Sequence, residues 1–136
     1  MRSIDKIIVD ATKRIKLFSL LDTAKNPSLA YYYARDVVKG RWLVGEPAIA
    51  TDPEYAYWYA VDVVRGRWKG GEPVLARHPR FASAYAINAV KGRFIEGEKA
   101  LANEPNDSVS KRRYLAFFPE AKEDWLLNGW VDWLDT

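Results

Sequence analysis

Apolar and small residues recur along this chain in blocks of constant internal spacing. Ala30, Tyr33, Ala34, Val37 and Val38 form the first block, and a glycine-containing stretch separates them from Ile49. The pattern returns 26 residues later as Ala56, Tyr59, Ala60, Val63 and Val64 with Leu75. A third copy holds Ala82, Tyr85, Ala86, Ala89 and Val90 with Leu101. Spacings of i, i+3, i+4 and i+7 describe a helix buried along one stripe. A fixed period of this size describes stacked repeats.

Helix boundaries follow from local chemistry. Pro27, Pro53, Pro79 and Pro105 stand where the missing N–H of a first helical residue costs nothing, behind Asn26, Asp52, His78 and Glu104. Asn and Asp are good caps, and His is a poor one. Lys39, Arg65 and Lys91 suit the negative end of a helix dipole. Gly40, Gly66 and Gly92 are expected to supply the left-handed residue that stops the helix. These signals predict long helices over 27–39, 53–65 and 79–91. Short second helices are predicted over 46–51, 72–77 and 98–103, with Pro47 and Pro73 in the first turn of two of them.

Outside the repeats, Ile4, Ile7, Ile8, Ala11, Ile15, Phe18 and Leu21 lie at helical spacing, with Lys6, Lys13, Arg14 and Lys16 opposite. A basic amphipathic helix of this kind caps one end of a repeat stack or binds an acidic surface. After Glu104 the pattern decays, and Lys111-Arg112-Arg113 stands where tyrosine and alanine are expected. A last helix is predicted from Ala121 to Leu134. The expected fold is all-α: a short solenoid of helix-turn-helix repeats with N- and C-terminal capping helices. It forms a single domain over 1–136, made of a capping helix (1–25), three repeats (26–104), a degenerate fourth (105–118) and a C-terminal helix (119–136).

Composition narrows the chemistry. There is no cysteine and one histidine, His78, so thiolate sites, disulfides and imidazole-based triads are closed off. No P-loop, G-x-G-x-x-G, H-E-x-x-H or G-x-S-x-G motif is present. No catalytic, cofactor-binding or metal-binding residue is therefore expected, and the chain reads as a non-enzymatic protein. No stretch approaches the length of a membrane span, and a cytoplasmic location is the default expectation. The net charge of +3 grades from basic to acidic along the chain, well short of a dedicated nucleic-acid binder.

Comparing the copies separates constant from variable positions. Arg41, Arg67 and Arg93 stay fixed with Glu46, Glu72 and Glu98. They read as structural ion pairs that fasten each turn, or as a row of arginines that grips anions. Lys39, Arg65 and Lys91, beside Trp42, Trp68 and Phe94, suggest a nucleic-acid edge extended by Lys111, Arg112 and Arg113. The competing reading of those aromatics is core. Three positions vary: Tyr31, Tyr57 and Ser83; Tyr32, Trp58 and Ala84; Arg35, Val61 and Ile87. Repeat scaffolds hold the core constant and vary the recognition face, so Tyr31, Tyr32, Arg35, Tyr57 and Trp58 are the candidate partner-binding residues. Trp125 joins them: on a C-terminal helix it points away from Trp130 and is expected to stay partly exposed. The molecule is then a monomer or a homodimer through the C-terminal tryptophan segment.

The pattern A-x-x-Y-A-x-x-V-x-[KR]-G-R-[WF]-x-x-G-E-x-x-[IL]-A, three copies over about 27–104, resembles a short helical repeat of hypothetical proteins of tailed bacteriophages. That family carries no assigned activity, so the resemblance transfers no site. It implies a phage-encoded inhibitor or adaptor acting on a bacterial defence or regulatory complex.

Overall fold

Prolines open the long helices as expected. The computed structural model describes residues 19–132, of which 19–24 are helical. The capping helix predicted over 1–25 falls mostly outside the described residues. Helices α1 (Pro27–Tyr33), α3 (Pro53–Tyr59) and α5 (Pro79–Tyr85) each begin on their proline. Asn26 Oδ1 accepts from the Leu29 N–H at 3.0 Å, and Asp52 Oδ1 from those of Glu54 and Tyr55. His78 makes no such cap; its Nδ1 lies 2.8 Å from the Val74 carbonyl.

The ends of these helices depart from expectation. Each continues for five residues as a wider π turn: Ala34–Val38, Ala60–Val64 and Ala86–Val90. The left-handed residue that follows is the basic one. Lys39, Arg65 and Lys91 have φ of 58°, 60° and 57°, and no left-handed φ occurs at Gly40, Gly66 or Gly92. The π turn is the physical reason. Its wider ring lets the Ala34 carbonyl accept from both Lys39 and Gly40, so the reversal falls on Lys39, one position before the predicted glycine.

Short helices α2 (Glu46–Ile49), α4 (Glu72–Ala76) and α6 (Ile95–Ala102) complete the units. The last begins three residues before the predicted 98. Pro47 and Pro73 forbid an earlier α-helical start in the first two units, because a proline deeper in an α-helix lacks its N–H and clashes with the preceding turn; in the second unit a 3-10 turn over Lys69–Gly71 leads in instead. Lys99 carries no such restriction.

Packing runs through the alanine stripe. Ala30, Ala56, Ala82, Ala34, Ala60 and Ala86 are all fully buried. With no bulk between them, α1 packs on α3, α3 on α5, and α5 on α7 (Val109–Phe117). Ile49, Leu75 and Leu101 anchor the short helices in the same core. Helix α7 starts behind Ser108 rather than at Pro105. Helix α8 spans Ala121–Leu127 and ends before Gly129, whose φ is +70°, so the predicted extension to Leu134 does not occur. Its inward residue is Trp125, fully buried, while Leu127 is exposed. The helix is thus rotated relative to expectation, and Trp125 offers no surface for self-association. Every element among the described residues is helical, and no helix there is long and apolar enough to cross a membrane.

Candidate functional site

The turn side of each unit is a closed hydrogen-bond system. Arg41 donates from Nε and Nη2 to the two oxygens of Glu46, each at 2.9 Å. Arg93 holds Glu98 in the same two-pronged way at 2.7 and 2.6 Å. Arg67 approaches Glu72 at 3.4 Å. A tyrosine from the next unit completes the system. Tyr59 donates to Glu46 at 2.5 Å and accepts from the Trp42 N–H at 3.0 Å. Tyr85 does the same between Glu72 and Trp68, at 2.6 and 2.8 Å. Tyr114 repeats it between Glu98 and Phe94, at 2.5 and 3.0 Å. Tyr59, Tyr85 and Tyr114 therefore each link their own unit to the turn of the unit before.

The aromatic after each arginine belongs to this system too. A Cβ built on Gly45 would sit 2.5 Å from the Trp42 ring, one on Gly71 2.5 Å from Trp68, and one on Gly97 2.8 Å from Phe94. Glycine is required there because the ring lies against the backbone. Trp68 and Phe94 are buried by this arrangement, so they present no face to a nucleic-acid base.

Electrostatics agree with the geometry. Burial alone would raise the Glu46 and Glu98 carboxyls, but the arginine and the tyrosine hydroxyl on each outweigh it and hold both below the usual glutamate range. The indoles of Trp68 and Trp125 add to the effect. Burial, then hydrogen bonding to the carboxylate, pushes Tyr59, Tyr85 and Tyr114 upward. Such a tyrosine stays neutral and keeps donating.

The fourth unit is less degenerate than its sequence suggests. Tyr114 occupies the place of Tyr59 and Tyr85, reached through a connection three residues longer: 16 residues separate it from its glutamate instead of 13. Trp125 donates from Nε1 to Glu98 at 3.0 Å, a third donor on that carboxylate beside Arg93 and Tyr114. Constancy of tyrosine, where phenylalanine would pack equally well, was the signal in the sequence that a hydroxyl partner exists.

Compared with known protein families, curated proteins and solved structures, the chain matches none. The site must therefore be read from its own geometry.

Variable positions lie on the opposite flank of the long helices. Tyr32 is 45% exposed and Trp58 41%. Arg35 is exposed beside them, its guanidinium 5.0 Å from the Tyr32 ring centre and 5.4 Å from that of Tyr31, and paired with Asp36. Tyr31 and Tyr57, by contrast, are buried. Each fills the space between successive helices, because its hydroxyl reaches a polar group on the next one. Tyr31 donates to Asp62 at 2.5 Å, and burial, reinforced by that bond, pushes its hydroxyl up to about 12; Tyr57 accepts from Asn88 Nδ2 at 2.9 Å. They support the groove floor and are not contact residues of the kind expected.

The basic edge is thinner than its sequence implied. Lys39, Arg65 and Lys91 are exposed, but Asp36 and Asp62 share the surface hollow of Lys39 and Arg65. Lys111 is buried, donating to the carbonyls of Ala102 and Glu104 and to Asn106 Oδ1, and burial lowers its ammonium. It closes the C-terminal end of α6 and is not available to a phosphate. Arg112 and Arg113 remain exposed. Among the described residues, no cluster of histidine or carboxylate side chains could hold a metal.

Proposed function

We propose that this chain is a non-enzymatic protein-binding module, a short solenoid of helix pairs closed by terminal helices that docks a protein on its groove face. One observation carries the reading. The constant polar residues are consumed in holding unit to unit, whereas the variable positions expose Tyr32, Trp58 and Arg35 side by side. Tyr, Trp and Arg are the residues that anchor protein interfaces. The resemblance to phage repeats would make the partner a host protein in the bacterial cytoplasm, and the module an inhibitor or adaptor of a defence or regulatory complex.

A nucleic-acid-binding reading draws on Lys39, Arg65 and Lys91, three exposed cations at equivalent positions. The carboxylates among them and the burial of Lys111 weigh against it. Affinity capture from host lysate, with wild type beside the Tyr32→Ala/Trp58→Ala double variant, tests the main reading. The expected result is a partner retained by the wild type, lost by a folded double variant, and insensitive to replacing Lys39, Arg65 and Lys91 with glutamine. Oligonucleotide binding that weakens steeply with salt and depends on those three cations would overturn it.

A further inference from the structure

The groove face is not uniform, and its irregularity is chemically specific. Between α1 and α3 the groove is a hollow of about 240 Å³, bounded by Tyr31 and Tyr32 on one helix and Glu54 and Trp58 on the next. Residues 26 positions on, Tyr57, Arg80 and Ala84, bound the equivalent groove between α3 and α5. That groove does not end at α5. It continues to α7 and reaches Val109 and Arg113, giving one cavity of about 420 Å³. The cause is a single position. Tyr31 and Tyr57 fill the gap between successive helices, but the third unit has Ser83 there.

Ser83 left more than space behind. Its hydroxyl is buried, lines this cavity, and is the one buried side-chain oxygen or nitrogen among the described residues without a hydrogen-bond partner. Buried hydroxyls are ordinarily satisfied, because an unmet one keeps its full desolvation cost. Arg80 and Arg113, both exposed, line the cavity as well, and neither has an ion-pair partner among the described residues; Glu54 is the one carboxylate of the lining, so the cations outnumber it two to one. Trp58 and Phe81 supply aromatic walls.

We infer that the cavity between α3, α5 and α7 receives an aromatic side chain, tyrosine in particular, from a partner segment that carries acidic residues beside it. The first two units show the occupant: a phenol ring held between helices with its hydroxyl bonded across the gap. A partner's tyrosine takes the place of the ring that the third unit lacks. Ser83 meets its hydroxyl or a neighbouring carbonyl, and Arg80 and Arg113 take the flanking carboxylates. This deepens the protein-docking reading and rests on it.

A blocked pentapeptide with a central tyrosine between paired glutamates is the probe, titrated into the full chain and followed through backbone amide resonances. Saturable shifts are expected at Ser83, Ala84, Asn88 and Arg113, with affinity falling about tenfold or more when the central residue is alanine or the flanks are lysine. Ser83→Tyr refills the gap and should abolish binding while leaving the melting temperature equal or higher. Arg113→Gln, an exposed change, should weaken binding without touching the fold. No saturable shift at millimolar peptide, or shifts that survive Ser83→Tyr, would overturn the inference. So would an oligothymidylate that binds the same residues more tightly than the peptide. Lysate capture separates the two proposals. A partner lost on Tyr32→Ala/Trp58→Ala but kept by Ser83→Tyr removes the pocket alone, whereas one kept by both removes the docking reading.

Discussion

The turn side and the groove side of these helices face the same repeat with opposite chemistry. On the turn side the constant arginine, glutamate, ring and glycine of each unit are partnered, and Tyr59, Tyr85 and Tyr114 join the glutamate and the backbone N–H of the unit before. On the groove side the residues change from unit to unit, two large aromatics stay exposed, and one buried hydroxyl is unmet. A position constant across repeats is therefore no pointer to a ligand in this molecule. The constant set joins the units, and the freedom to recognise something lies where the copies disagree.

The largest effect separating the two sides should come from Glu98. It is 1% exposed and accepts from Arg93, Tyr114 and Trp125. Glu98→Ala removes the acceptor from all three and should cost about 3–5 kcal/mol in chemical denaturation. Tyr32→Ala on the groove side should cost under about 1 kcal/mol. Comparable losses would erase the distinction. The same network sets the pH response. A carboxyl held below its ordinary value of 4.5 gives stability that is present above that pH and lost as pH falls through the folded value. Tyrosines raised above 10.0 give stability that is present below pH 10 and lost as pH rises beyond it. Melting temperature should thus be level across the neutral range and fall on both sides.

A smaller loss is expected at Gly71. Its added Cβ meets the rigid Trp68 ring at 2.5 Å, so Gly71→Ala should cost about 1–3 kcal/mol. Gly66→Ala is the control, since nothing lies within 4 Å there. Equal tolerance of both would remove the ring-on-glycine account of the turn.

These two glycines also show what the sequence could and could not convey. Helical spacing, proline starts and the alanine stripe were legible because each acts within one helix. The arginine–glutamate pairs were legible because five residues separate the partners. Tyr59 to Glu46 was not, because the partner lies 13 residues back on another unit and tyrosine counts as apolar in a periodic pattern. Tyr114 escapes the pattern for a related reason: three extra residues move it out of register, while three-dimensional packing restores its role. Ser83 reads in the sequence as one more variable residue, and only the burial of its equivalents Tyr31 and Tyr57 between helices gives it meaning. Glycine is the usual left-handed stop, yet the π turn places that conformation on Arg65 and not on Gly66.

That last point yields the smallest effect. A left-handed backbone costs a non-glycine residue about 1–2 kcal/mol, partly offset by the extra unfolded freedom of glycine. Arg65→Gly should therefore raise stability by up to about 1 kcal/mol. Clear destabilisation would mean that the Arg65 side chain makes a contact the geometry does not account for.

The central claim is that the constant tyrosines and glutamates join one unit to the next, and a double-mutant cycle on Tyr85 and Glu72 tests it most directly. Tyr85→Phe and Glu72→Gln should each cost about 1–3 kcal/mol, since each leaves a buried group without its full set of partners. The double variant should cost less than the sum of the two by about 1 kcal/mol or more. Losses that add to within about 0.5 kcal/mol would show that the two residues act independently, and would contradict the account.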